Sequence, residues 1–293
     1  MQADTPIDAL LRCQNILGES PLWCERRQRL FWVDIRAPAL YSCAEDGTDL
    51  CSYPMPEPIG SFAFRADDTM VLALKSGFYD YDPATQALAV IAKPEALLPQ
   101  HRFNEGKCDP RGRFWAGSMN DGVREPTGSL FCLDAQRRCT LIRGGIAVPN
   151  SMAWSPDGRR MYFADTEQRV IEVFDFDADA GHMGTGRPFA DLRSGTGRPD
   201  GATVDSDSCL WSAEVTSGRI VRYAPDGREI GAWKLPVSRV TSLTFGGVDL
   251  RTLYITSSRF KLSTSELAEQ PLAGALFVMR APVAGLAAAR YAG

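Results

Sequence analysis

Pro149-Asn-Ser-Met-Ala-Trp-Ser-Pro-Asp-Gly-Arg-Arg-Met-Tyr-Phe-Ala-Asp165 is one copy of a pattern that recurs along the chain. A run of strand-forming residues meets a Pro-Asp-Gly turn signal, and a second run follows that ends on aromatics. The same frame aligns Glu19-Ser-Pro-Leu-Trp, Asn104-Glu-Gly-Lys-Cys, Asn150-Ser-Met-Ala-Trp and Asp200-Gly-Ala-Thr-Val. Their second runs centre on Trp32, Trp115, Tyr162 and Trp211, and Val71 and Tyr254 mark two further copies. Third runs follow at Leu40-Tyr41, Phe78-Tyr79, Leu130-Phe131, Val170–Val173, Ile220–Tyr223 and Ala275–Val278.

The second-run markers are 39 to 49 residues apart, the period of a four-stranded propeller blade. A β-sandwich needs no such regular period, and a β-helix needs a much shorter one. The expected fold is therefore all-β: a six-bladed β-propeller with four-stranded blades and a central metal site, one domain spanning residues 1–293. First strands opening at Glu19, Ile59, Asn104, Asn150, Asp200 and Thr241 should line the channel. The segment Ala9-Leu-Leu-Arg-Cys-Gln-Asn-Ile should pair into the last blade, which would otherwise expose an edge. Helical periodicity is nearly absent, apart from Ser263-Thr-Ser-Glu-Leu-Ala-Glu, where a capping residue can start one short helix.

The chain has 293 residues and a net charge of -4 with interspersed signs, so nothing selects a nucleic-acid partner. No apolar run approaches the ~18 residues of a membrane span. The start, Met1-Gln-Ala-Asp-Thr-Pro, lacks the regions of a signal peptide. Eight scattered cysteines form no Cys-x-x-Cys pair, which argues against a thiolate zinc site. Together these features point to a cytoplasmic, reduced protein, a monomer or weak dimer.

Four of the six strand openers carry oxygen donors. Around one channel mouth, Glu19, Asn104, Asn150 and Asp200 would form a ring of two carboxylates and two amides. Such hard donors suit one divalent cation: calcium, magnesium, manganese, zinc or ferrous iron. A cation there would polarise a carbonyl and acidify a water, and a neighbouring carboxylate could act as general base. Arg102 brings a fixed positive fork to the same mouth, and Asn104 can bond polyol hydroxyls. Glu105, one step further along a regular strand, should face away from the channel. Asp109, Asp157 and Asp226 sit in turn signals and read as turn formers. Lys107 reads as a local salt-bridge partner, and His182 as solvated. His101 lies close to the mouth in sequence but belongs to no serine–histidine–carboxylate arrangement.

These residues resemble the regucalcin (senescence marker protein), gluconolactonase and luciferin-regenerating family. The motifs are Leu17-Gly-Glu-Ser-Pro-Leu-Trp, Arg102-Phe-Asn-Glu-Gly-Lys-Cys-Asp-Pro-Arg-Gly-Arg-Phe-Trp-Ala-Gly-Ser-Met, Pro149-Asn-Ser-Met-Ala-Trp-Ser-Pro-Asp-Gly and Pro199-Asp-Gly-Ala-Thr-Val-Asp. The segment Leu262-Ser-Thr-Ser-Glu-Leu-Ala-Glu-Gln-Pro-Leu-Ala-Gly-Ala-Leu-Phe is similar to bacterial sugar-lactonase members. The resemblance implies a propeller with one channel metal held by Glu19, Asn150 and Asp200. It implies Arg102 and Asn104 as substrate contacts, and Asp200 also as base. Animal members carry a substrate-binding glutamate shortly after the Gly-Ser/Thr-Met motif. Here Gly117-Ser-Met-Asn-Asp-Gly-Val puts Asn120, Asp121 and Gly122 in that region, and Asn120 is taken as the substrate contact.

The activity this implies is divalent-metal-dependent hydrolysis of a sugar lactone to its aldonic acid. Two other readings share the motifs: an organophosphate or phosphoester hydrolase on the same metal, and a non-enzymatic calcium-binding propeller.

Overall fold

The short β-branched and aromatic runs pair with their neighbours in sequence. In the computed structural model, which describes residues 5–96 and 98–293, they form six four-stranded antiparallel sheets. The first strands are Gly18–Cys24, Ile59–Phe64, His101–Cys108, Pro149–Trp154, Arg198–Val204 and Val240–Gly246. Each touches the first strand of the next sheet, and the sixth touches the first, so the sheets close into a ring of blades around a channel. The architecture is the expected all-β six-bladed propeller. The observed first strands begin at the expected openers or one to three residues before them.

The sixth blade takes its first three strands, Val240–Gly246, Thr252–Ser257 and Leu276–Arg280, from late in the chain. Its outer strand is Ile7–Leu11, paired antiparallel with Leu276–Arg280. One chain end therefore covers the edge left by the other. The helix Thr264–Glu269 starts at Ser263 with a capping box: Glu266 N–H donates to the Ser263 hydroxyl, and Glu266 carboxylate accepts from Ser263 N–H.

The second-strand markers pack between blades. Trp32, Val71, Trp115, Trp211 and Tyr254 are fully buried, and Tyr162 nearly so. Close packing at the centre also fixes two glycines. A Cβ on Gly60 would lie 2.5 Å from the carbonyl oxygens of Phe103 and Asn104, and one on Gly201 would collide with Ser242. At the far end of the channel the C-terminal tail crosses below the strands. It bridges Asp205 through Gly285 and Arg65 through buried Tyr291, whose N–H donates to Phe64 O at 2.7 Å. A cavity of about 320 Å3 lies between that tail and the strand ends.

The turn aspartates are structural in unequal degree. Asp109 is fully buried and accepts from Arg111 N–H (2.9 Å), Arg113 N–H (3.0 Å), Arg113 Nε (2.5 Å) and Trp115 Nε1 (3.0 Å). Asp157 is exposed and, among the described residues, accepts hydrogen bonds from Ser155 Oγ and Arg159 N–H alone. Removing a buried, multiply bonded carboxylate strands its donors and the arginine. Asp109→Ala should therefore lose roughly 3 kcal/mol or more, and Asp157→Ala no more than about 1 kcal/mol, by urea unfolding. Equal losses would contradict this assignment.

Candidate active site

All six first strands break register soon after entering the channel. The irregularities fall at Glu19/Leu22, Ile59/Ser61, Phe103/Gly106, Asn150/Ala153, Pro199/Ala202 and Val240/Ser242. A bulge re-aims the side chains on either side of it and frees ladder groups. Ser20 and Ser151, just after Glu19 and Asn150, adopt left-handed backbone with φ of 47° and 54°. The openers Glu19, Asn104, Asn150 and Asp200 are all buried, and all line one cavity of about 330 Å3 at the mouth opposite the tail. Arg102 lines it too. The volume lies in the usual range of small-molecule sites.

Hydrogen bonds fix the two amides. Asn104 Nδ2 donates to Pro149 O (3.0 Å) and to Asn150 Oδ1 (3.1 Å), while Asn104 Oδ1 accepts from Arg102 Nη1 (2.8 Å). Asn150 Nδ2 donates to Thr166 Oγ1 (2.7 Å), which donates onward to Pro199 O (2.8 Å). This one-way chain decides which end of Asn150 is oxygen, and it leaves a lone pair of Oδ1 free. Arg102 spends Nε on Asp121 (2.6 Å) and Nη1 on Phe103 O and Asn104. Its Nη2 has no partner among the described residues.

The two carboxylates have little to balance them. No side chain among the described residues donates a hydrogen bond to Glu19 or Asp200. Burial raises Glu19, and repulsion from Glu105 adds to it, against the Ser20 N–H, Arg102 and Lys107. Burial raises Asp200 strongly, with Glu19 and Glu105 repelling it further. Two buried, mutually repelling carboxylates beside an oriented amide oxygen fit a hard divalent cation. Among the described residues no three His, Cys, Asp or Glu cluster for a metal, so the fit depends on the amide.

Glu105 corrects the expectation of a regular strand. The bulge between Phe103 and Gly106 turns it inward, and it is buried. Its Oε2 accepts from Met152 N–H at 2.8 Å, and Lys107 Nζ lies 3.7 Å from Oε1. Lys107 also donates to Ala202 O. Burial pushes Glu105 up to about 7 against the pull of Lys107 and of the Met152 and Ala202 backbone.

Asn120 does not line the cavity; its Oδ1 accepts from Gly122 N–H (3.0 Å) and Val123 N–H (3.2 Å), capping the turn. Its neighbour Asp121 lines the cavity instead, gripped by Arg102 and by both Nη atoms of Arg36 (2.8 and 2.6 Å). Burial alone would raise Asp121, but those two arginines outweigh it and hold it below the ordinary carboxylate range. His101 is buried away from the cavity between Glu95 (3.1 Å) and Thr127 (3.3 Å), and His182 is exposed at a strand end.

Sequence reading also missed Arg36 and Glu167, and the repeat held a signal for both. Asp34 and Asp165 end equivalent second strands. Each accepts two N–H groups from the preceding loop and one from the residue two further on, Arg36 or Glu167.

The sequence profile of the SMP-30/gluconolactonase/LRE-like region matches residues 17–259. The chain belongs to this family. A 6-deoxy-6-sulfogluconolactonase of Pseudomonas putida is 38% identical over 288 residues, covering 98% of this chain and 99% of that protein. An L-arabinolactonase of Azospirillum brasilense is 39% identical over 286 residues, covering 96% and 93%. The crystal structure of a calcium-binding protein, regucalcin, from Agrobacterium tumefaciens is 27% identical and superposes with a TM-score of 0.94, covering 98% of this chain and 97% of that one.

The crowded carboxylates make a prediction for the metal-free protein. Folding raises their proton affinity, so between the ordinary value of 4.5 and the raised one, about 7 for Glu105, the folded chain holds more protons than the unfolded chain. Stability must then fall as pH rises through that window. In EDTA, Tm should drop by several degrees from about pH 5 to about pH 8, and Glu19→Gln should recover part of it. A Glu19→Gln protein less stable than its parent at the higher pH would contradict the crowding.

Proposed function

We propose that the protein hydrolyses a sugar lactone to the corresponding aldonic acid in the cavity at the channel mouth. The observation that carries this reading is the floor: two unbalanced buried carboxylates beside an amide oxygen whose orientation is fixed by its own donor chain. Relatives that span nearly the whole chain and bear the names of sugar lactonases support it.

Glu19, Asn150 and Asp200 would hold one divalent ion, of calcium, magnesium, manganese, zinc or ferrous type; the name of the regucalcin neighbour supports calcium among these. When bound, that ion supplies Lewis-acid polarisation of the lactone carbonyl. The remaining chemistry belongs to the chain. Arg102, through Nη2, and Asn104, through the open lone pair of Oδ1, orient the sugar hydroxyls. Asp121 holds Arg102 in place rather than meeting the sugar first. An Oδ of Asp200 takes a proton from the attacking water as the new C–O bond forms at the carbonyl carbon. The ring C–O bond then breaks, and the same proton passes to the departing ring oxygen, leaving acid and alcohol. Binding the ring in this cavity makes water attack effectively intramolecular.

Acid release from a panel of five- and six-membered aldonolactones, followed with a pH indicator, tests the reading. Turnover should vanish in EDTA and return with one or more divalent ions. Asp200→Ala should lower kcat by about a thousandfold or more with the circular dichroism spectrum retained. Retained turnover in Asp200→Ala removes it as the base. Silence across the panel with a bound metal favours the phosphoester or binding-only alternative.

A further inference from the structure

The cavity wall carries a charge pattern that a neutral lactone leaves unused. Six cationic side chains line it, Arg36, Arg102, Arg124, Arg198, Arg239 and Lys261. Above the floor only two carboxylates face them. Asp121 is shared by Arg36 and Arg102, and Glu167 by Arg124 (2.9 Å) and Arg198. Each shared carboxylate leaves one positive charge over. Arg239 and Lys261 make no ion pair or side-chain hydrogen bond among the described residues, and Arg239 Nε is buried without a partner. The charged groups that act on Arg239 are Glu266 and Asp200, which attract it, and Arg124, which repels it. Lys261 lies 5.4 Å from the ring centre of Phe260, another cavity residue, with Arg36 at 4.4 Å from that ring.

This excess stands against a chain whose net charge is -4. A donor buried without a partner is costly unless a ligand supplies one. Position matters as well. Arg239 and Lys261 belong to the sixth blade, at the entry to its first strand and in the loop after its second. Arg102 and Asn104 belong to the third, directly across the ring. The unpaired cations therefore face Arg102 and Asn104 across the cavity, with the floor carboxylates below.

We propose that the physiological lactone carries an anionic group, a carboxylate, sulfonate or phosphate, at the end remote from the ring carbonyl, and that Arg239 and Lys261 receive it. The inference rests on the lactonase reading and narrows its substrate class.

The test compares D-glucono-1,5-lactone with counterparts bearing carboxylate, sulfonate or phosphate at C6, each at low salt and in roughly 0.5 M NaCl. At least one anionic lactone should exceed the neutral one by about tenfold or more in kcat/KM, and added salt should shrink that advantage. The double variant Arg239→Met/Lys261→Met should remove most of the advantage, chiefly by raising KM for the anionic member. The proposal is overturned if the neutral lactone is turned over as well as every anionic one. It is equally overturned if the double variant slows neutral and anionic lactones by the same factor, because Arg239 would then act only on the floor carboxylates. Calorimetry on the same protein separates this inference from the reading beneath it, using D-gluconate and its C6-anionic counterparts as probes. About tenfold tighter binding of an anionic acid, lost in the double variant, sustains the anion site even if no lactone is hydrolysed. Equal binding of neutral-tailed and anionic acids overturns it.

Discussion

Ring closure brings six first strands together around one axis, and every one of them bulges there. Each bulge re-aims the side chains beside it where strands from six directions meet. The bulges bend the strands and leave backbone N–H and C=O groups without ladder partners. Near them, side chains of other blades bond backbone groups of both kinds. Glu105 of the third blade accepts Met152 N–H of the fourth, and Lys107 donates to Ala202 O of the fifth. Ser151 Oγ of the fourth donates to Asp200 O of the fifth at 2.7 Å, and Ser20 Oγ of the first to Gly60 O of the second at 2.9 Å. The contacts that tie blade to blade are thus one or two residues from the side chains that face the cavity. Fold and site share the same irregular backbone, so a change in either is felt in the other.

Charge follows from this geometry. Carboxylates are tolerated at the channel floor because each neighbours a group that offsets it or a place where a cation can sit. Glu105 has Lys107, whereas Glu19 and Asp200 have no such partner. Burying two like charges without compensation costs stability, and proteins accept that cost mainly where binding or catalysis requires it. The wall above reverses the sign, with guanidinium groups bridged through Asp121 and Glu167. These bridges do more than neutralise. Arg102, held by Asp121 and by Phe103 O and Asn104, has its Nη2 aimed in advance, so a ligand would meet a donor that is already oriented.

What the sequence made legible was whatever the repeat carried. The blade period, the buried second-strand aromatics and the four oxygen-bearing openers recur at matching positions, and the periodic signal exposes them. What it hid was set by departures from the period. Glu105 was misread because alternation assumes an unbroken pleat, and a bulge two residues long inverts facing without leaving a mark in composition. Asp121 was passed over for Asn120 because the choice between adjacent residues at a strand end depends on the turn that Asn120 itself caps. Arg239 and Lys261 lie in the blade whose opener, Thr241, is no acid or amide, and nothing in their local sequence marks them as cavity residues.

The floor and the wall together set a direction. Two carboxylates lie at the floor of the cavity and an excess of positive charge along its wall, a field that would draw a cation down and hold an anion above it. A ligand with one electron-rich carbonyl and one anionic tail can satisfy both ends only in a single orientation, carbonyl down and tail toward the sixth blade. A neutral lactone would gain only hydrogen bonds from the same wall, which orient it less strongly than an ion pair. In the proposed mechanism orientation would matter more than affinity alone, because a carbonyl-down pose is the one that would bring the reacting carbon to Asp200. The opposed charges therefore distinguish the two ends of a ligand by sign, which the shape of the cavity alone need not do.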